Sequence, residues 1–225
     1  MLKCSLCGGD RFVFSEVLWN DLVVQWQLSG EEAAYINEQQ GRQCARCRAS
    51  LRVIALGDAL RDAWSTRLLL GEFVRSPEAA TLRVLDINGC EGLSDLLSAM
   101  PGYVRADYPA VDMHALPFES GSFDTVVHSD TLEHVARPIR ALEECRRVLS
   151  EGGRLCFTVP VVVGRLTRSR EGLPKSHHGT QSAGDDLVVH TEFGADAWTV
   201  AVRAGFGRVM FNHVAYPAAT AISAW

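Results

Sequence analysis

The chain has 225 residues, 22 Lys and Arg against 27 Asp and Glu, a formal net charge of −5 and 47% apolar residues. That leaves room for one medium domain and a small module. The acidic balance excludes a general pull toward nucleic acid or membrane surfaces, and no apolar run reaches the roughly 20 residues of a membrane helix. Met1-Leu2-Lys3-Cys4 does not open as a signal peptide, so the expected location is cytoplasmic. Cysteines are reduced there, and paired cysteines read as metal ligands before disulfides.

The chain opens on Cys4-Ser5-Leu6-Cys7-Gly8-Gly9, and Cys44-Ala45-Arg46-Cys47 repeats the C-x-x-C spacing. Two such pairs can clasp one tetrahedral zinc, with a glycine permitting the tight knuckle, and four thiolates leave no open position for a substrate. Cys4, Cys7, Cys44 and Cys47 are therefore expected to hold a structural Zn2+ in a ribbon-like module over residues 1–50. Residues 8–43 form a longer excursion than a zinc ribbon needs. Phe12, Phe14, Val17, Leu18 and Trp19 are strand-like, and Ser29-Gly30-Glu31-Glu32 matches a capping box that starts a helix running to about Gln40 and stopping at Gly41. Arg42, Arg46, Arg48 and Arg52 cluster around the second knuckle as an anion-binding group or a solvated face.

A second domain is expected over residues 51–225. Its first stretch, 51–76, reads as one long bridging helix with Leu51, Ile54, Ala55, Ala59, Ala63 and Leu70 on one stripe. Leu82 to Gly92 then reads strand, small-residue turn, helix start: an apolar run ends in Asp86, Asn88-Gly89-Cys90 follows, and Leu93, Leu96 and Leu97 recur at helical spacing to about Met100. That geometry holds a nucleotide-like ligand at the carboxyl edge of a parallel sheet. Glycine lets the backbone approach closely, and Asn is a non-glycine residue that tolerates a positive φ. Tyr103 to Asp107 reads as a second strand ending in an acid able to bond ribose hydroxyls, with Tyr108 placed to lie against an adenine face.

Next come Asp112-Met113-His114-Ala115-Leu116-Pro117-Phe118 and Ser122-Phe123-Asp124, the strand from Phe123 to His128, and Ser129-Asp130-Thr131-Leu132-Glu133-His134-Val135. A helix from Pro138 to Leu149, Gly152-Gly153 and a strand from Arg154 to Pro160 complete the run. From Leu82 to Pro160 this wording resembles the class I S-adenosylmethionine (SAM) dependent methyltransferases of the type 11 kind. The turn departs from that family's acid-x-Gly-x-Gly-x-Gly, because the three glycine positions fall on Asn88, Cys90 and Gly92. The resemblance implies a doubly wound Rossmann-like α/β sheet and SAM as cofactor. It implies contacts from Asp86, Asn88, Gly89, Gly92, Asp107, Tyr108 and Ser129, with Asp112 accepting the adenine amino group and the Met113 backbone at the ring edge. It also implies methyl transfer to an acceptor O or N, with His128, Asp130 and His134 as candidates for a catalytic base.

Residues 161–189 carry Arg165, Arg168, Arg170, Lys175, His177 and His178 and read as a basic lid over the cofactor edge, with His177, His178 and His190 as further proton acceptors. That charge suggests an anionic acceptor. A helix over 195–204 and two antiparallel strands over 208–214 and 218–225 close the chain. Cys90, Cys145 and Cys156 read as small apolar fillers. The leading function is a small-molecule or saccharide methyltransferase. The alternatives are an RNA methyltransferase gripping its substrate with the zinc module, against which the acidic balance argues, and a non-catalytic module that binds SAM or S-adenosylhomocysteine (SAH). Oligomeric state is not legible.

Overall fold

The computed structural model describes residues 2–90, 92–177 and 187–225. A six-stranded sheet organises it. Its strands are β3 (Arg83–Ile87), β4 (Gly102–Ala106), β5 (Phe123–Ser129), β6 (Leu149–Thr158), β10 (Val209–Val214) and β11 (Ala219–Ala224), in the order β10-β11-β6-β5-β3-β4. The four strands β4, β3, β5 and β6 are parallel, and β11 and β10 add on antiparallel. The mixed α/β architecture is the one expected, with the strand order reversing direction between β3 and β5.

Alternation along the strands explains why helices cover both faces. Val84, Val127, Cys156 and Ala221 point to one side and pack with α3 (Leu51–Ala63). Leu85, Val126, Leu155, Phe157 and Ile222 point to the other, against α6 (Pro138–Val148) and α7 (Thr199–Arg203). Pro138 stands at the start of α6, where its missing N–H costs nothing. Helix α5 (Leu93–Leu97) is shorter than the spacing to Met100 suggests.

The expected single helix over 51–76 is two. Ser50 caps α3, which ends at Trp64 with Ser65 in the left-handed region (φ 52°), and α4 is only Leu70–Phe73. The break is tertiary. The Trp64 indole N–H donates to Thr125 Oγ1 at 2.8 Å, and the Leu70 and Gly71 N–H groups bond the carbonyls of Ser5 and Leu6. Helix α3 is thus a core element of the sheet as well as a bridge. Leu6 nests on Gly57, where an added Cβ would lie 2.6 Å from its Cδ1. Cys4, Leu6 and Cys44 share one continuous core with α3, β3 and β11.

In the excursion, β1 (Phe12–Phe14) pairs antiparallel with β2 (Arg42–Cys44). Val17 to Trp19 is not strand, and a short helix α1 (Asn20–Gln25) follows it. Helix α2 (Gly30–Gly41) begins with the full capping box between Ser29 and Glu32. After β6 the chain forms a small second sheet from β7 (Val161–Val162), β8 (Arg168–Ser169) and β9 (Thr191–Gly194). The excursion docks on it. Arg165 grips Glu32 at 2.9 Å and the carbonyls of Trp26 and Gln27, and the Trp26 indole donates to the buried Ser176 hydroxyl at 2.7 Å. Leu22, Trp26 and Val189 form a third small core between the two segments.

Candidate functional site

A cavity of about 680 Å3 opens at the carboxyl ends of β3, β4 and β5. A second of similar volume lies at the opposite rim, around Trp64, Asp124 and Ser150–Arg154. Ligands of open α/β sheets sit at the carboxyl edge, where the strand order reverses, so the first is the candidate site.

One wall is built by short-range chain geometry. Asn88 and Gly89 have φ of 60° and 64°, so the chain turns tightly off β3. The Asn88 side chain accepts from the Tyr108 N–H at 2.8 Å, joining the ends of β3 and β4. Asp107 lies on the cavity and half-exposed; Arg105 Nε reaches both its oxygens at 2.9 Å. An exposed pair of this kind is worth about 0–1 kcal/mol, so a ligand hydroxyl can displace it. Asp112 accepts from the His114 N–H and from its ring Nδ1, both at 2.8 Å. These bonds hold its carboxyl below the usual range, the His114 N–H contributing most. Met113 is buried beside it.

Six of the nine residues expected at a cofactor line this cavity: Asn88, Asp107, Tyr108, Asp112, Met113 and Ser129. Asp86, Gly89 and Gly92 do not. Asp86 lies beneath the turn, 1% exposed, where Oδ2 accepts from the Ser94 and Tyr103 hydroxyls at 2.6 and 2.8 Å. Its alternation places it on the α3 side of the sheet, and burial raises its carboxyl pKa. Its role is to brace the turn, since Ser94 also accepts from the Cys90 N–H.

The other wall follows β5. His128 does not reach the cavity, correcting its reading as a base. It occupies an inward strand position, 0% exposed and stacked on Phe157 at 5.0 Å, and burial pushes its pKa down to about 3. Both faces of a parallel strand are covered, so only residues past its end meet solvent. Asp130, with φ 43°, does line the cavity but is already engaged. Its Oδ2 pairs with Arg52 and accepts from Gln40 at 3.2 Å, and its Oδ1 accepts from Thr158 Oγ1 at 3.1 Å. It is a wall group rather than a free base. His134 lies in a single 3-10 turn over Leu132–His134, lines the cavity, and meets the Val188 carbonyl through Nδ1 at 3.2 Å. A carbonyl only accepts, so Nδ1 carries the hydrogen and Nε2 is the basic nitrogen, 3.7 Å from Glu133 Oε1.

Leu187 and His190 close the roof. His177 instead faces a small surface pocket with Trp19, Asp21 and Gln25, and His178 lies outside the described residues. The basic loop is not free charge: Arg165 pairs with Glu32, and Arg168 and Arg170 both pair with Glu192. Nor do the knuckle arginines converge. Arg42 pairs with Glu38 and Arg46 bonds the Cys7 carbonyl, whereas Arg52 turns inward to Asp130. Sequence reasoning missed His114 and Gln40, and it placed Arg52 in the knuckle's arginine cluster rather than on Asp130. His114 stood inside a recognised run; nothing local marks Gln40.

The four sulfurs of Cys4, Cys7, Cys44 and Cys47 lie within 4.8 Å of one another, with Cys4–Cys47 and Cys7–Cys44 at 3.5 and 3.6 Å. Zn–S bonds of about 2.3 Å in a tetrahedron put sulfurs about 3.8 Å apart, so the donor set fits zinc. Burial pushes the Cys4 thiol up and the Cys47 thiol to about 11, so thiolates at these two positions need a cation beside them, whereas hydrogen bonds from the Cys47 and Arg46 backbone bring the Cys44 thiol down against its burial. Cys90, Cys145 and Cys156 are buried elsewhere, as fillers should be.

Residues 71–157 match the family described as methyltransferase domain. An uncharacterized 37.1 kDa protein of transposon TN4556 in Streptomyces fradiae is 39% identical over 95 residues, covering 42% of this chain and 27% of that protein. A demethylmenaquinone methyltransferase of Clavibacter sepedonicus is 38% identical over 66 residues, covering 28% and 27%. The chain thus spans about a quarter of the length of each curated relative. Among solved structures it is similar to the trans-methyltransferase CalH with SAH (16% identity, 86% and 65% coverage, TM-score 0.44). It is also similar to the Burkholderia thailandensis 1,6-didemethyltoxoflavin-N1-methyltransferase (15%, 75% and 78%, 0.43). The stretch similar to that family, residues 71–157, runs from within α4 through all but the last residue of β6.

Proposed function

We propose that the protein is a SAM-dependent methyltransferase acting on an O or N atom of a neutral small molecule or saccharide, with a structural zinc in its N-terminal knuckles. The observation that carries this reading is the charge of the cavity. Asp107, Asp112 and Asp130 line it, Asp107 backed by Arg105 and Asp130 by Arg52, and among the described residues no Lys or Arg lines the cavity itself. Such a lining suits a sulfonium cation and disfavours an anionic acceptor. The ion pairs of Arg165, Arg168 and Arg170 remove the reason to expect an anion.

Asp107 fits ribose hydroxyls once Arg105 yields, Asp112 and Met113 fit the adenine edge, and Asn88 and Ser129 fit the remaining polar contacts. Bound SAM supplies an electrophilic methyl group, so the chain's task is alignment and exclusion of water. His134 Nε2 can take the proton of an acceptor hydroxyl, its ring fixed by the Val188 carbonyl. His190 is the exposed histidine of the roof. The four thiolates would hold Zn2+ with no open position, so the metal there is architectural.

Calorimetry with SAM and SAH, followed by turnover over sugars, hydroxylated metabolites and RNA, tests the reading. Binding with turnover of a neutral hydroxyl or amine is expected. Binding without turnover of any class leaves a binding module, and steep salt-dependent turnover of RNA would replace the small-molecule acceptor.

A further inference from the structure

We propose that Arg52 and Gln40 are positioning residues of the cofactor rim, and that the second cysteine knuckle holds Arg52 there, so that metal binding and cofactor binding reinforce each other. This rests on reading the cavity as a SAM site.

The connection is short and rigid. Within the knuckle, the Arg48 N–H bonds the Cys44 carbonyl and the Cys44 N–H bonds the Ala49 carbonyl, both at 2.9 Å. Arg48 sits at φ 64°, and Gln43 bridges Ser50. Ser50 is the cap of α3, and Arg52 is the second residue of that helix. The knuckle thus sets where the helix starts and where Arg52 points. Gln40 sits in the last turn of α2, which runs directly into β2 and Cys44.

Both side chains end on one carboxylate. Asp130 receives the Arg52 guanidinium and the Gln40 amide on Oδ2, and the Thr158 hydroxyl on Oδ1. Two of its three side-chain partners therefore come from the first 52 residues. Asp130 stands in the left-handed region and forms the cavity wall with Ser129 and Thr131. Short polar residues such as Asp visit that conformation more readily than most, but it needs support from its surroundings. The partners supply it. The Arg52 Nε is buried with no partner among the described residues, so the guanidinium is placed for Asp130 at the expense of its own donors. Removing either charge leaves the other without its counterion in a largely buried place, and the wall must rearrange.

A metal that fixes the knuckle and a cofactor that needs the wall favour the same arrangement. Their affinities are then coupled, and the coupling is reciprocal. The test uses the full zinc-loaded chain with SAH as probe. Apparent zinc affinity is measured by chelator competition with and without saturating SAH, and SAH affinity by calorimetry. In the wild type, SAH should raise zinc affinity at least about 5-fold, the lower end of ordinary coupling. Arg52→Met should abolish that gain and weaken SAH binding, and Arg52→Lys should restore part of both. The double variant Arg52→Met with Asp130→Asn removes both charges and keeps the site neutral; it should fold, hold zinc and show no coupling. Zinc affinity that ignores SAH in the wild type, or coupling that persists undiminished in the double variant, overturns the proposal while leaving the SAM site standing. Absence of SAH binding in the wild type overturns the site reading, and this inference with it.

Discussion

The two walls of the cavity are built in opposite ways. The wall after β3 and β4 is local: Asn88, Asp107, Tyr108, Asp112 and Met113 fall within 26 residues and fix one another through Asn88–Tyr108 and Asp112–His114. The wall after β5 is assembled from afar. Asp130 depends on Gln40 and Arg52, His134 on Val188, and the roof on an excursion clasped by Arg165 and Ser176. A domain with one local wall can keep that wall while the other is rebuilt by inserted segments. The difference teaches where variation in the site should be sought: in the N-terminal segment and residues 161–190.

The sharpest way to break this comparison is to open the four-cysteine cluster. If the proposed site holds one zinc per chain, Cys44→Ser should leave none, because three thiolates hold it far less tightly. Hydrogen exchange should then show lost protection in residues 2–52 and in 161–177, with β3 to β5 retained. Uniform loss across the sheet would show that the two walls are not separable.

Next in size is Asp107→Ala, which strikes the local wall alone. Loss of a carboxylate's hydrogen bonds to a ligand, about 1.5–3 kcal/mol, should weaken SAH binding roughly 10- to 150-fold by calorimetry. The melting temperature should hardly move, since Asp107 is half-exposed with one surface partner.

Arg165→Ala sharpens the comparison from the other side. It deletes a guanidinium shared by Glu32 and two backbone carbonyls. A loss of about 1–3 kcal/mol is expected, read as faster proteolysis between Trp19 and Glu32, with SAH affinity changed less than by Asp107→Ala. The same pair depresses the Glu32 carboxyl to about 2. Its stabilisation is complete above the ordinary glutamate pKa of 4.5 and fades as pH falls toward 2.

The smallest expected effect is His128→Leu. With both ring nitrogens buried and without hydrogen-bond partners among the described residues, an apolar replacement of similar size should change stability at pH 8 by about 1 kcal/mol or less and leave SAH binding intact. The pH dependence is the cleaner signal. The folded pKa lies below the unfolded value of 6.5, so the neutral ring's stability is present above 6.5 and lost as pH falls toward 3. Denaturant titrations at pH 8 and 5 should show a smaller drop for His128→Leu than for wild type.

Much of this was readable from the chain alone, and for local reasons. The paired C-x-x-C spacings, the capping box at Ser29, Pro138 opening a helix and the acid closing a strand at Asp107 each depend on neighbours within a few residues. Their physics acts over that distance, and the run from Leu82 to Pro160 carries the four parallel strands of the sheet. Asn88 took the positive φ that its residue type tolerates. What needed the fold was everything set by partners distant in the chain. Asp86 and His128 carry the right chemistry at the right strands, but alternation turns them under α5 and α6. The basic loop looked like a lid for anions until Glu32 and Glu192 engaged its three arginines. The helix over 51–76 broke where Thr125 and the first knuckle pull on it. Arg52 and Gln40 reach Asp130 across 78 and 90 residues of chain, and no periodicity or spacing encodes such a meeting. Residue chemistry and local propensity are properties of the sequence; which charges meet, and which acids are buried before a ligand arrives, is decided only when the sheet closes over its helices.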